Sequence, residues 1–356
     1  YPVTDAVTYV GVDDPDLTLF EGQYPVPQGV SYNSYLIEDD RLCLLDTVDA
    51  RKQEEWLAGL DEVLAGRKLD YLVISHMEPD HAGSIAALCA RQPQLKLVAN
   101  ARTFAILDQF SGDNPLAQER VTVADGGTLA LGSHTLHFVL APMVHWPEVM
   151  AVYEDREKVL FSADGFGNFG SLTDTDAWAD EARRYYGNIV GKYGAQVQAL
   201  LKKAAALEIE TICPLHGPVL TGEALGEALR LYDLWSRWQS ESPDDILLAH
   251  ASIHGNTARA AELLKQKLEA KGARVTLCDL TTTEVSYAVA NAFYCGKLVL
   301  ACSTYDGGLF PPMEEFLSHL QAKGFRDRSV GLMENGSWAP TAARLMRARL
   351  EEMKNI

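Results

Sequence analysis

The chain has no CxxC pair; its six cysteines, Cys43, Cys89, Cys213, Cys278, Cys295 and Cys302, are scattered through 356 residues. Scattered single cysteines do not make a disulfide framework. They read as buried thiols of a reducing compartment, and they exclude a cysteine-ligated iron–sulfur or rubredoxin-like module within the chain. Positive charge is also short. With 31 Lys and Arg against 49 Asp and Glu, the formal net charge is −18. That excludes nucleic acid and anionic membrane as main partners, and an acidic partner protein would need a local basic patch to dock. No apolar run approaches the ~18–20 residues of a membrane span. The N-terminus, Tyr1-Pro2-Val3-Thr4-Asp5, lacks the basic region and apolar stretch of a secretory signal, so a cytoplasmic location is expected. There is no GxGxxG, which argues against a dinucleotide.

What is present is enough apolar residue, 47% against 22% charged, to bury sizeable cores. The length suggests about two domains at the usual ~100–200 residues each. Residues 1–50 read as short antiparallel strands: Val7 to Val12, Leu17 to Phe20, Ser34 to Glu38 and Arg41 to Asp46. They are followed by an amphipathic helix, Gln53 to Leu64, and a buried strand, Leu69 to Ile74. Strands and helices then alternate: Leu95 to Ala99, helix Arg102 to Phe110, strands Arg120 to Val123, Thr128 to Leu131 and His134 to Leu140. A hairpin follows over Glu154 to Glu157, then a mainly helical Thr175 to Lys203, a short strand Thr211 to Pro214 and a helix Gly222 to Ser240. This order predicts an αββα sandwich. The composition shifts at Ser240-Glu241-Ser242-Pro243-Asp244-Asp245, a linker candidate. Beyond it a strict β-α-β-α rhythm predicts a doubly wound parallel sheet with strands at Ile246 to His250, Val275 to Asp279, Leu298 to Cys302 and Ser329 to Met333.

Ile74-Ser75-His76-Met77-Glu78-Pro79-Asp80-His81-Ala82-Gly83-Ser84 places His76, Glu78, Asp80 and His81 at the carboxyl end of a predicted strand, where open α/β sheets bind ligands. His145, Asp164 and His216 follow three other strands, each in a loop with Gly or Pro. A lone loop His or Asp is ordinarily a solvated or capping residue. The set together reads as a metal site with mixed nitrogen and oxygen donors.

A second constellation opens the parallel sheet. Ser252-Ile253-His254-Gly255-Asn256-Thr257 follows a strand and begins a helix, where hydroxyls, an amide and free backbone N–H groups can surround a phosphate. Ser303-Thr304-Tyr305-Asp306-Gly307-Gly308 and Glu334-Asn335-Gly336-Ser337-Trp338 follow the next two strands with glycines and ring-stacking aromatics.

The ordered His/Asp pattern resembles the metallo-β-lactamase fold. Glu78 stands where the hydrolases carry a His, a hard oxygen donor that favours iron over zinc. The closer resemblance, over almost the whole chain, is to the flavodiiron proteins. It implies a metallo-β-lactamase-like diiron domain over 1–244 and a flavodoxin-like FMN domain over 245–356. It assigns His76, Glu78 and His145 to one iron, Asp80 and His216 to the other, and Asp164 to the bridge. His81 matches a position that binds metal in the hydrolases but is often displaced from iron in this family. The motifs Ser31-Tyr32-Asn33-Ser34-Tyr35-Leu36, His145-Trp146-Pro147 and Phe166-Gly167-Asn168-Phe169-Gly170 are similar to family signatures.

The FMN contacts implied are Ser252, His254, Gly255, Asn256, Thr257, Ser303, Thr304, Tyr305, Asp306, Gly307, Gly308, Asn335, Gly336, Ser337 and Trp338. The implied activity is reduction of O2 to water, of NO to N2O, or both. Electrons would come from a donor such as rubredoxin or its reductase, through a head-to-tail homodimer or a dimer of dimers. Tyr24 and Tyr193 are candidates for lining the substrate pocket, with plain core packing as the alternative. A flavodoxin-like sheet has five strands and four are legible here, so the last strand is expected to be missing through truncation. The rival readings are a dizinc hydrolase fused to a flavodoxin, and an electron carrier with a vestigial metal site.

Overall fold

The structure, a computed structural model, describes residues 1–172 and 178–356. It forms two compact units. Tyr1–Ala182 with Ala195–Arg230 make the first, and Arg183–Gly194 with Leu231–Ile356 make the second.

The first unit contains two six-stranded sheets. One runs Val7–Tyr9, Tyr35–Ile37, Cys43–Leu45, Tyr71–Val73, Lys96–Asn100, Arg120–Val123. Its first three strands pair antiparallel, and it becomes parallel from Cys43–Leu45 onward. The other runs Thr128–Ala130, Thr135–Leu140, Met150–Glu154, Val159–Phe161, Thr211–Cys213, Leu220–Thr221. Their inner faces meet in one core, where Tyr35, Leu45, Val73 and Val98 pack with Phe138, Val152, Phe161 and Cys213. This is the sandwich the sequence predicted. The helix Gln53–Leu64 buries Trp56, Leu57, Leu60 and Leu64, positions spaced to share one face. Parallel strands aim their carboxyl ends one way, so the loops after Tyr71–Val73, Val159–Phe161 and Thr211–Cys213 become available for a common site.

The second unit carries four parallel strands in the order Val275–Asp279, Ser242–Ala251, Cys295–Tyr305, Ser329–Asn335. With the strands numbered by sequence, this 2-1-3-4 order gives a switch point between the first and third.

Several boundaries differ from expectation. Val7 to Val12 is not one strand: Val7–Tyr9 pairs with Tyr35–Ile37, while Val12–Asp14 pairs with Val30–Tyr32. The expected linker is part of a strand, because Ser242–Ala251 starts inside it. Glu241 is held by hydrogen bonds from Arg183 Nε and Trp235 Nε1 at 2.5 and 2.8 Å, so the acidic, Pro-containing run is tethered rather than free. The expected helix beginning at Thr175 starts outside the described residues. Its described part is Trp178–Tyr185 and Gly194–Ala204, joined by wider and tighter turns. The helix Val285–Tyr294 was not predicted. It buries Ala288, Val289, Ala290, Ala292 and Phe293, on more than one face, and therefore shows no amphipathic stripe. Glu284 caps it by accepting from Ser286 N. Among the described residues, no helix is long and apolar enough to cross a membrane.

Candidate dimetal centre and flavin cradle

The turn after Tyr71–Val73 curls because Pro79 starts a four-residue helix, Pro79–Ala82. That turn brings His76, Glu78, Asp80 and His81 to one place, although an extended strand would spread them. His145 arrives from the loop after Thr135–Leu140, Asp164 from the turn after Val159–Phe161, and His216 from the turn after Thr211–Cys213. The result is two adjoining donor groups. His76, Glu78, His145 and Asp164 have donor atoms within 4.8 Å of one another, and so do Asp80, His81 and His216.

Asp164 joins the groups. Its Oδ2 lies 3.0 Å from His145 Nε2 and 3.3 Å from His76 Nε2, and its Oδ1 lies 3.1 Å from His81 Nε2. Glu78 Oε2 sits 3.2 and 3.1 Å from the Nε2 atoms of His76 and His145. His216 Nε2 is 3.2 Å from Asp80 Oδ2. All of these residues are buried except Glu78, which is half-buried.

Tautomers follow from the outer partners. His216 Nδ1 faces the Ser31 carbonyl at 2.7 Å, and a carbonyl can only accept, so Nδ1 carries the proton. In the neutral ring Nε2 then offers its lone pair to the cluster. His76 Nδ1 faces Glu148 Oε1 at 2.8 Å with the same consequence. Two Nε2 atoms, of His81 and His216, meet at 3.1 Å. Two lone pairs at that distance repel unless a proton or a cation lies between. Asp80 Oδ1 and Oδ2, Asp164 Oδ1 and His81 Nδ1 are buried without a hydrogen-bond donor or acceptor. Such a set of orphaned carboxylate oxygens among inward-facing imidazoles fits a pair of cations.

The electrostatics agree. Burial opposes charge on His76, yet Asp164, with Glu148 and Glu78, holds it well above the usual imidazole range. Hydrogen bonds to Asp164 and Glu78 likewise outweigh burial and hold His145 up to about 9. Bonds to His145 and His76 overcome burial and hold the Glu78 carboxyl below the usual carboxylate range. His76, His145 and Glu78 thus compensate one another as ions with Asp164, and bound cations would take over that compensation.

A cavity of about 380 Å³ opens beside Glu78 of the first group and Asp80 of the second, lined also by Leu17, Leu19, Phe20, Glu21, Tyr32, Asp49 and Pro79. Phe20 lies edge-on to the His216 ring at 5.3 Å. Tyr24, by contrast, is buried with its ring 5.9 Å from that of Phe169, and it is not among the residues lining this cavity. Tyr193 is half-buried in a tight turn of the second unit.

Sequence reasoning missed Glu148, Asp46 and Thr47 as support. Asp46 accepts from Ser75 N and Oγ at 2.7 and 2.6 Å, and Thr47 Oγ1 donates to the His81 carbonyl at 2.6 Å. Backbone strain also marks the site: Asp46, Met143, Ala163 and Phe166, all near the ligand loops, have φ between +51° and +67°.

In the second unit a cavity of about 470 Å³ is lined by Ile253, His254, Thr304, Tyr305, Asp306, Gly307, Gly336, Ser337, Trp338 and Ala339. The predicted Ser252, Gly255, Asn256, Thr257, Ser303, Gly308 and Asn335 are outside that lining but adjoin it in sequence. Thr257 Oγ1 and Ser303 Oγ are 2.8 Å apart, and Asn335 Nδ2 donates to Thr257 Oγ1 at 3.3 Å. These bonds draw the three loops together. The helix Asn256–Glu269 starts at Gly255, φ +80°, with no side-chain cap. Its first N–H groups are thus free for an anion. Ser252 Oγ is buried and unpartnered, an orphaned donor at the same place. Trp338, 82% exposed, and Tyr305, 44% exposed, offer flat apolar walls. Phosphate donors at one side and aromatic walls at the other fit a flavin mononucleotide.

The chain belongs to the ODP family beta lactamases: that family's model matches residues 30–217. It is, within that fold, a flavodiiron protein, as the resemblance in its sequence implied. It is 29% identical to the nitric oxide reductase of Moorella thermoacetica, over 99% of this chain and 90% of that protein. The crystal structure of the flavodiiron protein from Giardia intestinalis matches with a TM-score of 0.93 at 26% identity, covering 98% of this chain and 87% of that one. The rubredoxin oxygen:oxidoreductase from Desulfovibrio gigas matches at 0.91 and 27% identity, covering 99% and 89%.

Proposed function

We propose that this chain is a flavodiiron oxidoreductase that reduces O2 to water, NO to N2O, or both. The observation that carries the reading is the pair of donor groups joined by Asp164, with glutamate rather than histidine at position 78. The relatives named as nitric oxide reductase and rubredoxin oxygen:oxidoreductase support it.

With two irons and FMN bound, the protein would gain one-electron redox chemistry and open coordination positions for a diatomic gas. His76, Glu78 and His145 are the proposed ligands of one iron, and Asp80 and His216 those of the other. Asp164, whose Oδ2 faces His145 and His76 and whose Oδ1 faces His81, would be shared between the two irons. His81, which the family resemblance sets apart from the iron ligands, lies beside the second set with its Nε2 3.1 Å from Asp164 Oδ1 and from His216 Nε2. Glu148 and the Ser31 carbonyl keep the protons of His76 and His216 on Nδ1. Leu17, Leu19 and Phe20 give one part of the cavity an apolar surface past which a neutral diatomic can reach Glu78 and Asp80. In the domain proposed for 245–356, the free N–H groups at Asn256 and Thr257 and the Ser252 hydroxyl would hold the phosphate of FMN, while Tyr305 and Trp338 would flank the ring.

The donor proposed is rubredoxin or its reductase, the assembly a head-to-tail homodimer and the location cytoplasmic. Metal analysis of the purified protein tests the reading: two irons and one FMN per chain are expected. Two zinc ions without iron, with hydrolase activity, would establish the dizinc alternative instead.

A further inference from the structure

The ligand loops differ in how they are held. The turn Pro214–Gly217, which carries His216, has almost no regular structure of its own, yet His216 is buried. Its backbone is gripped by a run of chain more than 180 residues away. Asn33 Nδ2 donates to the carbonyls of Pro214 and Gly217, each at 2.8 Å, and Asn33 N donates to the Leu215 carbonyl at 2.9 Å. Ser31 Oγ accepts from Gly217 N at 2.7 Å, and the Ser31 carbonyl takes the His216 Nδ1 proton. The clamp is itself fixed: Tyr9 Oη donates to Asn33 Oδ1 at 3.2 Å, and both Ser31 and Asn33 are fully buried.

The next residue serves the other donor group. Ser34 Oγ donates to the Asp46 carbonyl at 2.9 Å, and Asp46 in turn holds Ser75, the neighbour of His76. Successive residues of one short segment thus reach the two ligand sets separately.

We infer that Asn33, with Ser31, is the positioning residue of the second metal: it fixes the His216 loop so that Nε2 faces Asp80 and Asp164. A side-chain amide suits this task because two carbonyls need two donors on one rigid group, and the remaining oxygen still accepts from Tyr9. Loss of those donors leaves the Gly217 carbonyl without its Asn33 donor and lets the loop rotate, whereas Asp46, Ser75 and His76 are untouched.

The inference rests on the dimetal reading, and the test separates the two. Wild type, N33A and S31A are loaded with ferrous iron anaerobically, oxidised, and assayed for iron content and by EPR, with circular dichroism to verify the fold. Two exchange-coupled irons are expected in wild type. In N33A one iron is expected to bind at least 10-fold more weakly, leaving the signal of an isolated high-spin ferric ion, and in S31A a smaller loss of the same iron is expected. Should N33A not fold, S31A decides. Two coupled irons of unchanged affinity in the folded variants, or equal loss of both irons, would overturn the inference. A wild type that binds no pair of irons would instead overturn the dimetal reading.

Discussion

Glu148→Ala tests how far the first metal depends on a residue that never touches it. The Glu148 side chain is fully buried, accepting from His76 Nδ1 at 2.8 Å and from Met77 N at 2.9 Å. Burial opposes its charge, but His76 and the Met77 amide lower its carboxyl below the usual range, so it is ionised at neutral pH. The Ala variant loses the acceptor that fixes the His76 tautomer and frees the backbone beside it. Outer carboxylate partners of a metal-bound imidazole change metal affinity by about 10–100-fold, or about 1.4–2.7 kcal/mol. Glu148→Gln keeps one oxygen acceptor and should fall at the lower end. The assay is competition for ferrous iron against a chromophoric chelator, with the two sites resolved by stoichiometry. Loss confined to one of two irons is expected. Unchanged affinity in the Ala variant would refute the claim that Glu148 sets the orientation of His76.

Three further predictions concern different parts of the molecule. Gly217→Ala places a Cβ about 1.7 Å from Asn168 Oδ1 at a φ of +81°, so beyond the ~1–2 kcal/mol left-handed penalty the Asn168 side chain must move. A thermal melt should show a Tm several degrees lower, and an unchanged Tm would contradict the packing described. Metal loading should release protons: His145, held up to about 9 in the metal-free protein, is charged at pH 7 and must give up its proton to bind. Its raised value makes its contribution to metal-free stability complete below about 6.5 and lost as pH rises through about 9. Loading in weak buffer with a pH indicator reads the release, and no release at pH 7 would oppose the assignment. Thr257→Val removes the hydroxyl that contacts Ser303 and Asn335. FMN affinity measured by fluorescence quenching should fall about 10-fold, or about 1.4 kcal/mol, as the loops lose the contact that draws them together, and an equal Kd would remove Thr257 from the cradle.

The donor residues were legible because loop-borne His, Asp and Glu after buried strands have few structural uses in common, and the motifs kept them in order. Glu148 was not: in His145-Trp146-Pro147-Glu148 it reads as a spacer, and only the fold brings it to His76. Asn33 and Ser31 stood in a recognisable motif whose role depended on a partner loop more than 180 residues away. The helix Val285–Tyr294 escaped because burial on more than one face erases the polar side that periodicity detects. The composition of Ser240–Asp245 pointed to a linker, yet Glu241 accepts from Arg183 and Trp235 and a strand starts at Ser242. Composition records what a segment tolerates in water, not the partners that folding supplies.

Stopped-flow mixing of the fully reduced, iron- and FMN-loaded protein with O2, and separately with NO, reads the proposed redox chemistry on a diatomic gas. Rapid reoxidation of the flavin by at least one gas, with water or N2O as product, is the predicted result. A reduced protein that reoxidises with neither gas faster than free FMN would contradict the account.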